Sequence, residues 1–252
     1  MRPDVSDANP PAHAPIPALP RYFDDERTRR RFLDGLFDGT ARDYDFVERL
    51  LAFGSGAWYR REALVRAGLA PGMRVLDVAT GTGLVAREAL AVVGPSGMVL
   101  GLDPSAGMLD EAKTLAIPLT RGLGERLPYA DASFDFVSMG FALRHVADLD
   151  ALFGEMRRVL RPGGTACILE ITYPSRRIAA APLRFFMTQV VPLAALSSQR
   201  RASARALMRF YWDTIAACVP PSDVLASLAR AGFAGPRRGV ILGLFSEYVA
   251  RK

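Results

Sequence analysis

The stretch VLDVATGTG, Val75 to Gly83, carries a carboxylate, Asp77, ahead of two glycines spaced by Thr82. A glycine turn that ends a strand and opens a helix lets the backbone approach a ligand closely. Asp103 follows Gly83 by twenty residues, where an acid ending a second strand accepts hydrogen bonds from ribose hydroxyls. Gly81 to Ala86 also fits the dinucleotide pattern G-x-G-x-x-A, so an NAD(P)-dependent oxidoreductase is one reading. A pyrophosphate over this turn would be repelled by Asp77, whereas a ligand with a cationic end would be attracted. S-adenosylmethionine has an ammonium, a sulfonium and no phosphate, and these residues favour it as cofactor. With only His13 and His145 in the chain, no metal site is expected.

These residues need strands and helices to hold them. Arg74–Val78 reads as a short buried strand and Leu84–Val93 as a helix closed by Gly94-Pro95. Met98–Asp103, Ile117–Arg121, Phe134–Met139 and Thr165–Ile171 continue the strands, with helices over Ser105–Leu115 and Asp148–Leu160. Strand and helix in alternation predict a parallel, doubly wound sheet. A helical region precedes it from about Asp24 to Ala67, broken at Gly54-Ser55-Gly56. The apolar segment 172–212 is cut by Pro174, Pro182 and Pro192 and carries Arg184, so it reads as a helical insert over the site and not as a membrane span. Pro221–Ala231 reads as a last helix, and Gly243 divides Val240–Ala250 into two antiparallel edge strands.

Composition narrows the partners. Half of the 252 residues are hydrophobic and the net charge is +6, with Lys113 and Lys252 the only lysines. No basic run with interleaved aromatics argues for nucleic acid, while a basic excess favours anionic surfaces. Cys167 and Cys218 cannot build a disulfide framework, which predicts a reducing, cytoplasmic setting, peripheral at a membrane if the substrate is lipid-soluble. The first twenty residues lack the apolar core of a signal peptide, and the proline-rich segment 1–22 is expected to be a disordered tail ahead of one domain, 23–252.

The order of motifs adds a resemblance. ARDYD (Ala41–Asp45), FGSGAWYRR (Phe53–Arg61), VLDVATGTG, GLDPSAGML (Gly101–Leu109), GERLPYADASFD (Gly124–Asp135), FALRHVADL (Phe141–Leu149), RVLRPGG (Arg158–Gly164) and LEITYP (Leu169–Pro174) occur in turn. In these the chain resembles class I S-adenosylmethionine-dependent methyltransferases and, more closely, the ubiquinone/menaquinone biosynthesis C-methyltransferase family. The resemblance implies a Rossmann-like α/β fold: a doubly wound, mostly parallel seven-stranded sheet with an antiparallel last strand and a helical insert after the fifth strand. Residues 23–70 would form a helical cap and 172–212 a mobile apolar lid.

Residue by residue, the resemblance assigns Asp77, Gly81, Thr82 and Gly83 to the methionyl-binding turn, Asp103 to the ribose and Met108 to the adenine face. Gly140 falls beside the methyl-transfer centre, and Tyr44 closes the N-terminal segment over the cofactor. Leu123 and Gly124 stand where the family reads the adenine amino edge; Leu123 lacks a side-chain acceptor, leaving backbone groups or Glu125 to serve. Arg144 and His145 fall on the acceptor side as the catalytic candidates, although the family often has asparagine at the second position and His145 is also readable as ordinary local structure. The implied activity is C-methylation of a small hydrophobic acceptor, a prenylated quinol. A secondary-metabolite or lipid-amine methyltransferase is the alternative. An anionic membrane and a second copy of the chain are the candidate macromolecular partners.

Overall fold

The computed structural model describes residues 13–17, 19–174, 177–194 and 198–252. Strands β1 (Arg74–Val78), β2 (Met98–Asp103), β3 (Leu119–Arg121), β4 (Phe134–Gly140), β5 (Leu160–Ile171), β6 (Ala234–Ile241) and β7 (Phe245–Arg251) form one seven-stranded sheet in the order β3-β2-β1-β4-β5-β7-β6. The first five pair in parallel, and β7 runs antiparallel to both β5 and β6. β1 is buried along four of its five residues because helices cover both faces, so it shows no polar alternation.

Helices α2 (Gly56–Ala67) and α3 (Leu84–Val93) pack Leu64, Ala86 and Val93 on one face of the sheet. Helices α5 (Leu149–Val159) and α9 (Pro221–Arg230) pack Leu152, Phe153, Met156 and Leu228 on the other. α5 starts where expected because the Asp148 carboxylate accepts from Asp150 N and Ala151 N. The chain winds from β1 out to β3, then returns to place β4 on the other side of β1. That reversal opens a crevice at the carboxyl ends of β1 and β4, where such sheets bind ligands.

A third cluster sits beyond those carboxyl ends. Helix α1 (Glu26–Leu51), started by reciprocal Asp25–Thr28 capping bonds, packs Val47 with Leu207, Phe210 and Tyr211 of α8 (Ser198–Ala217). Between β5 and α8 lie α6 (Arg177–Phe185), a π-helical turn (Phe186–Val190) and the short α7 (Val191–Leu193). The prolines do not cut this segment as the sequence suggests. Pro182 sits inside α6, Pro192 sits inside α7, and the π turn lies between them. Residues 175, 176 and 195–197 of the expected lid lie outside the described residues.

Two further expectations need correction. Of the expected disordered tail, residues 1–12 and 18 lie outside the described residues, but the segment 13–17 and 19–22 is anchored to the domain through buried Pro15 and Ile16 and half-buried Leu19 and Tyr22. His13 O accepts from Leu149 N at 3.1 Å, Pro15 O from Val219 N at 2.8 Å, and Ile16 is buried. The apolar Ile16, Leu19 and Phe23 supply an anchor that the proline content masks. β5 and β6 also begin earlier than the apolar runs indicate. Each takes its proline and glycines into an irregular stretch of the ladder, with register shifts at Phe134/Phe136 and Ala234/Arg237.

Candidate active site

Two cavities meet above the crevice. The first holds about 940 Å³ counted to its open mouth and lies between α1 and the carboxyl ends of β1, β2 and β4. Gly81, Asp103, Met108, Leu123, Gly124, Gly140 and Tyr44 line it, seven of the ten residues expected to hold the cofactor. Asp103 Oδ2 accepts from Gly81 N at 2.8 Å and its Oδ1 from Ser105 N at 2.9 Å, which fixes the carboxylate at the end of β2. Burial pushes this acid up to about 6.

The other three stand behind the wall. Asp77 accepts from Thr80 Oγ1 at 2.7 Å and Ser138 Oγ at 2.6 Å; burial, with the Asp103 charge added, pushes it to about 6. Its carboxylate therefore ties the turn to β4. Thr82 Oγ1 donates to Asp45 Oδ1 at 2.5 Å, tying the turn to α1. Gly83, at φ +87°, packs so closely on Leu115 that a Cβ there would collide with it.

The glycine turn fits a close-lying cofactor on geometry. Gly81 has φ +57° and nothing within 4 Å of where a Cβ would stand, so the space above the backbone is open. Ala79 at φ +54° and Phe141 at φ +60° also hold left-handed backbones, at the ends of β1 and β4. Such strain in residues with a Cβ persists where surrounding structure imposes it, and it concentrates at functional sites.

Sequence reasoning missed Asp38 and Asp45. They lie seven residues apart on α1, two turns along one face. Asp38 Oδ1 accepts from Ser105 Oγ at 2.5 Å and Gly107 N at 2.9 Å, at the start of helix α4 (Ala106–Ala112), while Asp45 takes Thr82. Together they fasten α1 over the first cavity. The signal was the spacing of acids on one helical face. Glu125 does line the cavity beside Leu123, but its Oε1 is held by Ala147 N at 2.6 Å.

The second cavity holds about 830 Å³ counted to its mouth, between α1, α2, α8 and the β6–β7 turn. Its lining is mostly apolar, with Leu51, Leu207, Met208 and Phe245 among its walls. Tyr44, Phe141 and Tyr211 line both cavities and form the partition between them. Tyr211 Oη donates to Tyr44 Oη at 3.1 Å, and burial raises both phenols, which stay protonated.

Arg144 lines this second cavity and is fully buried. Its Nη1 donates to Glu170 Oε1 at 2.5 Å and Phe141 O at 2.9 Å, and its Nε to Thr214 Oγ1 at 3.2 Å. The guanidinium lies 4.7 Å from the centroid of the Tyr211 ring, and its Nη2 has no hydrogen-bond partner. Burial raises the Glu170 carboxyl and the Arg144 charge opposes that rise.

His145 stands apart from Arg144. It lines the first cavity and not the second, stacks on Phe210 at 5.4 Å and meets Phe37 edge-on at 5.3 Å. Neither ring nitrogen has a hydrogen-bond partner. Burial, with Arg144 and Arg29 adding to it, pushes the imidazole well below its usual range. It is a neutral ring in an aromatic stack and a weak base.

A doubly wound sheet with β7 inserted antiparallel beside β5, an acid before the glycine turn and a second acid on β2 define the class I methyltransferase fold. A solved structure of phosphoethanolamine N-methyltransferase 2 from Haemonchus contortus, in complex with S-adenosyl-L-methionine, shares that fold at TM-score 0.63 and 18% identity, over 89% of this chain and 60% of that one. The chain belongs to the ubiE/COQ5 methyltransferase family, whose profile matches residues 24–234, and it is an S-adenosylmethionine-dependent methyltransferase. It is 31% identical over 224 residues to a demethylmenaquinone methyltransferase of Mycolicibacterium paratuberculosis, covering 88% of this chain and 94% of the relative. It is 34% identical over 227 residues to the ubiquinone/menaquinone biosynthesis C-methyltransferase UbiE of Geobacter sulfurreducens, covering 86% and 87%.

Proposed function

We propose that the enzyme methylates a ring carbon of a prenylated quinol, with the first cavity holding the cofactor and the second the acceptor. The observation that carries this reading is the apolar second cavity, which abuts the first at Tyr44, Phe141 and Tyr211 and presents the unpartnered Nη2 of Arg144. When bound, S-adenosylmethionine supplies an electrophilic methyl on a cationic sulfur, and one proton leaves the acceptor for each methyl gained. Asp103 would hold the ribose, Gly81 and Gly140 would admit the methionyl end, and Met108 would pack on the adenine. Arg144 stabilises the negative charge that develops on the quinol oxygen as the ring becomes nucleophilic. The proton released from the quinol passes to solvent water at the open mouth of the second cavity.

The electrostatics disfavour the amine alternative. Glu48 and Glu170 near the second cavity are each neutralised by an arginine, Arg60 at 2.8 Å and Arg144 at 2.5 Å. Within these neutral pairs, Arg60 Nε and Arg144 Nη2 remain unpartnered donors, which suit an acceptor oxygen and offer nothing to an ammonium, itself a donor. Labelled S-adenosylmethionine offered with a reduced, short-tailed demethylnaphthoquinol, and in parallel with phosphoethanolamine, tests this preference by product mass.

A lipid-soluble acceptor must come from a membrane. No helix among the described residues is long and apolar enough to cross one. Trp58 and Leu242, 66% and 88% exposed, stand at the mouth of the second cavity. Phe53, 82% exposed, stacks at 5.1 Å on Phe186 of the π turn, so it extends the apolar rim toward exposed Phe185 and Leu193. Exposed Arg184, Arg205 and Arg209 lie on the same insert. Peripheral contact with an anionic membrane follows. Flotation with anionic vesicles is expected to carry the protein at low salt and release it at high salt. Equal behaviour with neutral vesicles contradicts the contact.

A further inference from the structure

We infer that Tyr59 and Arg60 of α2 form a second oxygen-binding subsite, which takes the ring oxygen opposite the one held at Arg144. The inference rests on the quinol reading and deepens it. Both side chains line the acceptor cavity, at 7% and 4% exposure. Tyr59 Oη and Arg60 Nε are buried without a hydrogen-bond partner, as is Arg144 Nη2. Buried donors in native structures are nearly always paired, so unpaired donors carried by three residues that line one cavity point to a ligand's acceptor atoms.

The neighbouring carboxylates are ion-paired, and Glu247 stands close enough to the Tyr59 hydroxyl to raise the phenol further after burial has raised it. Glu48 Oε1 accepts from Arg60 Nη2 at 2.8 Å, and Glu247 accepts from Arg66 through Oε1 at 2.7 Å and Oε2 at 3.3 Å. Gly56 serves the pair: a Cβ there would collide with the Glu48 carboxylate and lie 2.6 Å from Arg60 Nη1. The glycine therefore lets an ion pair pack into the cavity wall.

The surrounding rings suit a flat acceptor. Tyr59 lies 4.9 Å from Phe245 and 6.5 Å from Phe141, and the Arg60 guanidinium lies 5.4 Å from the Phe141 ring. Phe141 belongs to the partition, so this group adjoins the methyl-transfer junction. A ring held by one oxygen can turn about that contact. A second contact at the opposite oxygen fixes the rotation, so that the carbon beside the first oxygen faces the methyl. The subsite thus selects aromatic acceptors with two oxygens and sets which carbon is methylated.

The test compares a short-tailed 1,4-dihydroxynaphthalene, kept reduced, with the matching 1-naphthol. Turnover is read by product mass and S-adenosylmethionine binding by calorimetry, in the wild type and in Tyr59→Phe. The wild type should show a KM for the diol about tenfold below that for the mono-ol, the scale of one hydrogen bond to a buried group. Tyr59→Phe should raise the diol KM about tenfold, leave the mono-ol KM unchanged and leave cofactor affinity unchanged. Arg60→Lys, which keeps the charge opposite Glu48 but lacks Nε, should shift the diol in the same direction. Equal shifts for both acceptors, or no shift for the diol, overturn the subsite while the quinol reading stands. Cofactor binding with methylation of neither acceptor overturns the quinol reading and the subsite together.

Discussion

Arg144→Ala should destabilise the fold by about 3–5 kcal/mol, because it strands the Glu170 carboxylate in the interior. Denaturant unfolding reads that loss. The catalytic share needs milder variants. Arg144→Lys keeps a charge but cannot reach Glu170, Phe141 O and Thr214 together, and it removes the free N–H at the acceptor cavity. Turnover should fall by about 10²–10³, as loss of a preorganised donor to developing charge does, while cofactor affinity stays unchanged. Removing both charges in Arg144→Met with Glu170→Gln should restore much of the stability and none of the turnover. Full turnover in Arg144→Lys would show that the arginine only holds the fold.

Cofactor affinity should fall about tenfold or more between pH 7 and pH 5, since each acid displaced from its ionised form weakens the attraction by about 1.4 kcal/mol per pH unit. The cause is the Asp77–Asp103 pair, both pushed from the usual 3.8 to about 6 by burial. A cationic ligand favours the charged carboxylates and draws their pKa values down. Binding near pH 6 therefore releases protons, and affinity is fully present above pH 6 and lost as pH falls through it. The fold without ligand shows the opposite sign: a raised carboxyl contributes stability below its unfolded pKa, and that contribution is lost as pH rises through about 6. The two acids titrate as a coupled pair, so the proton count belongs to the pair. Burial, with Arg144 and Arg29 adding to it, pushes His145 well below its usual range, and His145→Asn should leave the profile in place. Calorimetry in two buffers of different ionisation enthalpy counts the protons. Flat affinity with no proton release contradicts the account.

The central sheet is legible because β1 and β2 are short apolar runs with an acid next to or at the end, Asp77 and Asp103, and their bounds match the sequence reading to the residue. α3 was equally plain, opening at Gly83 and closing at Gly94. What escaped was long-range. Asp38 and Asp45 look like solvated helix residues until α1 is laid over Ser105 and Thr82. Tyr59 and Arg60 sit in FGSGAWYRR as an aromatic beside a base, and only the fold shows that both are buried against one cavity. His145 was grouped with Arg144 by adjacency, but consecutive residues of a 3-10 turn point to different sides, one to each cavity. The tail hid its anchor because a few apolar side chains among prolines carry no periodicity.

The central claim is carbon methylation of a quinol at the junction of the two cavities. It is tested most directly by a single turnover with S-adenosylmethionine bearing a carbon-13 methyl and a reduced demethylnaphthoquinol, followed by NMR of the product. The expected product carries one labelled methyl on the ring carbon beside a quinol oxygen, with both oxygens free. A labelled methoxy group, or an unmethylated quinol recovered from enzyme that has bound the cofactor, contradicts it.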